Sequence, residues 1–177
     1  WVALNDGCTP SGDTETRSCI RIIDVDTSLQ KINQDFDVGT MNYYYFYPAL
    51  TVDSEKRLDL IFGYSSSNDY PGLVFTGQTS TEKNTLEPSQ IFQTGMWYDS
   101  TGRYGDYFGA ATDPENTTYA WVSGEFHSDH SSAWNTEIAS TNPITIPEFS
   151  LSVQILLVSM LSIIIFYRLP LKMNKRI

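Results

Sequence analysis

The sequence predicts an all-β body of antiparallel four-stranded meander repeats, followed by one C-terminal transmembrane helix. Three observations predict it. Before residue 145 apolar residues alternate with polar ones, or run in short blocks bounded by Gly, Pro, Asp and Ser, and no 3.6-residue period occurs. The same order of strands and turns returns sixty positions later, as Asp53 and Asp113 illustrate. From Phe149 to Tyr167 the chain carries no charge.

Taken in order, Trp1-Val2-Ala3-Leu4 reads as a strand, and Cys19 to Asp26, alternating from Arg21, reads as its hairpin partner. A third strand is expected from Gln34 to Val38, ending at Gly39. Tyr47 to Asp53, a charged turn at Ser54 to Arg57, Leu58 to Tyr64, Gly72 to Gly77 and Gln90 to Gln93 make a complete four-stranded unit. Sliding by sixty places Leu50 on Ala110, Ile61 on Trp121, Phe62 on Val122 and Gly63 on Ser123. Tyr107 to Pro114, Tyr119 to Val122 and Ser132 to Ile138 then supply three strands of the next unit. The opening segment fits the scheme if Trp1 begins at a second strand. Meanders repeated in this way suggest the blades of a partial β-propeller, about two and a half within residues 1–140. So few blades do not close a ring. Further blades are therefore expected upstream of Trp1 or from other molecules. Trp1 is no initiator and no signal peptide precedes the body, which suits the C-terminal part of a longer precursor.

The uncharged segment 149–167 is long enough, at about 1.5 Å per residue, to span roughly 28 Å of hydrocarbon. Its Leu, Ile, Val and Phe outweigh one Gln and four Ser. Behind it lie Arg168, Lys172, Lys175 and Arg176, a basic tail over 168–177, so the C-terminus is expected in the cytoplasm. The expected location is therefore the cell membrane, single-pass, with the body extracellular and lipid as a partner. Ahead of the span only seven Lys and Arg face all 21 Asp and Glu. That acidity argues against nucleic acid as a partner.

Pro147-Glu148-Phe149, in the linker 141–148 directly before the span, resembles the PEF-type C-terminal sorting signal of archaeal surface proteins. The resemblance implies an archaeosortase-like processing enzyme that cuts here and re-anchors the protein. Permanent anchoring is the other reading, with Pro147 and Glu148 merely starting the helix. A second resemblance runs from Tyr43 to Phe126. Gly102-Arg103-Tyr104-Gly105-Asp106-Tyr107, with Asp113-Pro114 beyond, looks like the R-[WY]-G-D-Y-x-x-x-x-x-D-P stretch of sialidase-like propellers of secreted microbial proteins. It implies a fold and a surface location, and no single activity.

Sialidases hold a carboxylate with several arginines. Only Arg103 of the body's four lies in a matched motif, and no S-x-D-x-G-x-T-W box occurs. No catalytic residue is therefore assigned. Arg103, Gly105, Asp106, Tyr107 and Asp113 are expected to be structural, with Arg103 and Asp106 fixing a corner. The function expected is non-enzymatic display at the cell surface, in adhesion, envelope structure or binding of surface glycans or other envelope proteins. The alternative is a sialidase-like surface glycosidase whose catalytic blades lie upstream.

Smaller features complete the reading. Cys8 and Cys19 flank a turn-rich stretch and are expected to form a disulfide outside the cell. Asn116-Thr117-Thr118 is an N-glycosylation pattern in the turn after Pro114. Glu125, His127, Asp129 and His130 offer weak metal-ligand candidates, against a solvated hairpin loop. Asp24, Asp26, Asp35 and Asp37 offer a calcium set, against solvated edge carboxylates. No other cofactor is implied. Asp53 and Asp113 are expected to cap the turns that follow them.

Overall fold

The computed structural model describes residues 1–100, 102–129 and 133–141. Contacts divide the chain into Trp1–Ile144 and Thr145–Ile177, and the described residues all belong to the first unit. The expected span 149–167, the tripeptide Pro147-Glu148-Phe149 and the basic tail lie outside the described residues. Among those described, no helix is long and apolar enough to cross a membrane.

Ten strands are present among the described residues: β1 (Val2–Cys8), β2 (Arg17–Asp26), β3 (Lys31–Val38), β4 (Tyr43–Val52), β5 (Leu58–Ser66), β6 (Gly72–Gln78), β7 (Gln90–Gln93), β8 (Gly109–Thr112), β9 (Ala120–Phe126) and β10 (Asn135–Thr141). They form three antiparallel sheets in chain order, β1-β2-β3, β4-β5-β6-β7 and β8-β9-β10. The body is therefore all-β, a series of meanders, with no closed barrel or ring among the described residues.

Alternation explains the first sheet. Ile20 and Ile22 point inward and are fully buried, while Arg21 between them faces out. Arg21 there binds Asp35 in a fork, Nε to Oδ1 at 2.7 Å and Nη2 to Oδ2 at 2.8 Å, and reaches Asp6 at 3.1 Å. Cys8 and Cys19 are joined, Cα to Cα 5.8 Å, at the loop end of the β1–β2 hairpin. The disulfide expected from the sequence is thus present.

The second sheet lies between the other two, and its strand β5 has no outward side. Leu58, Leu60, Phe62 and Tyr64 pack with Ile20 and Ile22 of the first sheet. The opposite face, Asp59, Ile61 and Gly63, meets the third sheet: Thr141 bonds Asp59, and Leu73, paired with Gly63, packs against Gly124. Burial on both faces is why this strand reads as a continuous apolar run instead of an alternating one. The fully buried Leu60, Ile61, Phe62, Ile20, Ile22 and Leu73 each contribute about 1.5 to 3 kcal/mol of transfer free energy.

The repeat is real, with one adjustment. Val52 pairs with Leu58 and Thr112 pairs with Ala120, so the offset is sixty on the first strand and sixty-two on the second. Leu60 therefore corresponds to Val122 and Ile61 to Ser123, which corrects the matches of Ile61 to Trp121, Phe62 to Val122 and Gly63 to Ser123. The turn after Asp113 is two residues longer than the turn after Asp53. A two-residue slip leaves every side chain on its expected face, so the pattern alone does not reveal it.

Candidate functional site

The matched turns are built alike. Asp53 Oδ1 accepts N–H bonds from Glu55 at 2.8 Å and Arg57 at 2.9 Å, and Asp113 Oδ1 accepts those of Glu115 at 2.7 Å and Asn116 at 2.9 Å. Each carboxylate's second oxygen takes a different partner. Arg57 Nη2 lies 2.6 Å from Asp53 Oδ2, whereas Asp113 Oδ2 accepts the indole N–H of Trp121 at 2.7 Å. The N–H of Asn116 together with that of Trp121 holds the Asp113 carboxyl below its usual range. The turns are tied to each other as Ser54 N–H donates to Thr117 O at 2.9 Å and Arg57 Nη2 to Thr118 O at 2.9 Å.

Residues 94–100 and 102–108 run over the end of β9. Tyr104 is inserted beneath them: its hydroxyl donates to Glu125 O, and its ring meets Phe46, Tyr47 and His127. Burial, then the charge of Glu125, pushes the Tyr104 hydroxyl pKa well up. Gly105 adopts φ +111° and its N–H donates to Glu125 Oε2 at 3.0 Å; a Cβ here would enter the Tyr47 ring. Arg103 and Asp106 form an exposed ion pair at 3.2 Å, and Tyr107 stacks on Trp134 with centroids 4.4 Å apart.

Glu125 and His127, each 1 % exposed, are the least expected burials. His127 Nδ1 lies 2.8 Å from Ala133 O, and Nε2 lies 3.9 Å from Asp99 Oδ1. The pair sits on one side of β9 under Tyr104 and is closed to solvent, while Asp129 in the connection beyond is exposed. Strand alternation puts Glu125 and His127 on the outward side with Trp121 and Ser123, so no local signal marked their burial. His130 lies outside the described residues. Among the described residues no three His, Cys, Asp or Glu side chains are grouped to hold a metal ion. The calcium set does not gather on one face either. Asp35 pairs with Ile23 and Asp24 with Gln34, so Asp24 and Asp35 point to opposite sides, and a register shift follows Asp24 and separates it from Asp26.

The four arginines among the described residues each hold carboxylates: Arg17 with Asp13 and Glu15, Arg21 with Asp6 and Asp35, Arg57 with Asp53 and Glu55, Arg103 with Asp106. No carboxylate is shared between two of these sets. Asn116 is exposed, and its Oδ1 accepts the Thr118 hydroxyl at 2.8 Å, which places the acceptor pattern on an open turn.

Sequence reasoning missed Asp59, a carboxyl within the buried strand β5. It is 7 % exposed and receives the Thr141 hydroxyl at 3.1 Å, and burial raises its pKa to about 6. Its signal was a lone acid inside Leu58–Phe62. A cleft of about 250 Å³ between the second and third sheets is lined by Phe75, Ile91, Val122 and Ala139, among others.

No protein-family description matches the chain, and no curated protein and no solved structure matches it.

Proposed function

We propose that this chain belongs to a cell-surface display protein of propeller type, whose work is binding and presentation and not turnover. The observation that carries the reading is the central sheet, buried on both faces between sheets contributed by the neighbouring stretches of chain. That is how blades pack in radial series. The disulfide suits an oxidising exterior, and the acidic body and basic tail suit an outward body with a cytoplasmic end. Arginines already bound to separate carboxylates favour display over a sialidase-like clamp. Anchoring by segment 149–167, or sorting at Pro147-Glu148-Phe149, completes the proposal.

An impermeant amine reagent applied to intact cells tests it. Lys83 should be modified and Lys175 protected, and the reverse pattern would overturn the orientation. Release of sugar from a sialoside by the protein would overturn the non-enzymatic reading.

A further inference from the structure

The third sheet turns one face away from the second, and the chemistry of that face is specific. Ser123, Thr136, Ile138 and Ser140 share it with Trp121, because Ile138 pairs with Ser123, Thr136 with Glu125 and Ser140 with Trp121. Thr136, Ile138 and Ser140 are exposed, and Trp121 remains 45 % exposed although its indole N–H is bonded to Asp113 at 2.7 Å. That bond sets the ring's orientation while leaving one side of it to solvent. Tyr107, two residues before β8, and Trp134, one residue before β10, stack at 4.4 Å and 21° while staying 46 % and 49 % exposed. As β8 and β10 flank β9, this stack reaches across the sheet.

The geometry points to a saccharide-binding face on the third sheet, with Trp121 at one end and the Tyr107–Trp134 stack at the other. The reading rests on the display function proposed above, with this face of the third sheet left uncovered by any further blade, and names its ligand class. From Trp121 to the level of Glu125 is four residues of β9, about 13 Å. A short oligosaccharide fits that length better than a single ring. The apolar C–H face of a pyranose packs on an aromatic ring, and its hydroxyls suit Ser123, Thr136 and Ser140. Rings already held by Asp113 and by mutual stacking lose little freedom on binding. Charge narrows the class. None of these face residues is Lys or Arg, Asp113 stands beside Trp121, and the body is acidic, so a neutral sugar is favoured over an acidic one, an anionic lipid or nucleic acid.

The test uses the full chain in a detergent without a sugar headgroup, titrated with neutral tetrasaccharides of β-linked glucose and of β-linked N-acetylglucosamine and followed by calorimetry. Saturable binding of one of them is expected. Trp121→Ala and Trp134→Ala should each weaken it by about tenfold or more, Trp121→Phe should retain part of it, and Trp1→Ala, beside the first sheet, should leave it unchanged. Near-ultraviolet dichroism establishes that each variant is folded, and Trp121→Phe keeps the test decisive if an alanine variant is not. Absence of binding, or binding indifferent to Trp121 and Trp134, would overturn the site. So would sedimentation showing that the face instead joins two copies, with self-association abolished by Trp121→Ala. Cell-surface labelling of Lys83 against Lys175 is independent of all these outcomes, so failure of the sugar site and failure of the display reading are distinguishable.

Discussion

The hydroxyl of Thr141 donates to the carboxyl of Asp59 at 3.1 Å, joining the last described residue of the third sheet to an inner strand of the second. Both groups are buried. The bond does not offset the burial, and the Asp59 pKa rises to about 6.

A raised carboxyl pKa means that the folded state holds its proton more tightly than the unfolded chain. The stabilisation is present at low pH and is lost as pH climbs from about 4 through about 6. Asp59→Asn, which keeps an oxygen for Thr141, should match the wild type near pH 4 and exceed it by about 1 to 2 kcal/mol at pH 7. Urea unfolding of both proteins at the two pH values checks this; equal gaps at both would refute it.

Asp53 is the firmer of the two turn acids, because its side chain is fully buried against Arg57. Asp53→Ala leaves that guanidinium, only 18 % exposed, without its closest partner and should cost about 3 kcal/mol. Asp113→Ala, in the half-buried counterpart, should cost less. Thermal melts of the two variants side by side decide the ranking.

Gly105→Ala should lower stability by about 2 kcal/mol or more, since φ +111° is strained for any L side chain and the new methyl meets the Tyr47 ring. Tyr104 and Glu125 should loosen with it. A rise in hydrogen exchange confined to residues 94–100, 102–108 and the end of β9 is the expected signature.

Reduction of Cys8–Cys19 opens a loop with a sequence separation of 11 and should cost about 2 to 3 kcal/mol. Melting with and without a reductant measures it. Cys8→Ser/Cys19→Ser should melt like the reduced protein and be insensitive to reductant.

Much of the body was legible because its cues are local. The turn aspartates, the apolar block of β5 and the alternation of β2 each reside within a few residues. Strand limits were less so: β1 runs on to Cys8 and β3 begins at Lys31, where exposed polar residues carry no inward pattern, and β4 begins at Tyr43 ahead of a register shift between Phe46 and Ala49. The burial of Glu125 and His127 was hidden because their cover, Tyr104, comes from about twenty residues earlier. The stack of Tyr107 on Trp134 was hidden likewise, since it exists only once β8 and β10 lie either side of β9.

A strand with neighbours above and below has no side on which a replacement goes unnoticed. From Leu58 to Tyr64 neither parity of position is free, so descendants of this gene should accumulate changes and insertions in the Pro10–Thr16 and Thr79–Pro88 connections while that heptapeptide stays nearly fixed. Random mutagenesis with selection for folded protein should return the same uneven map.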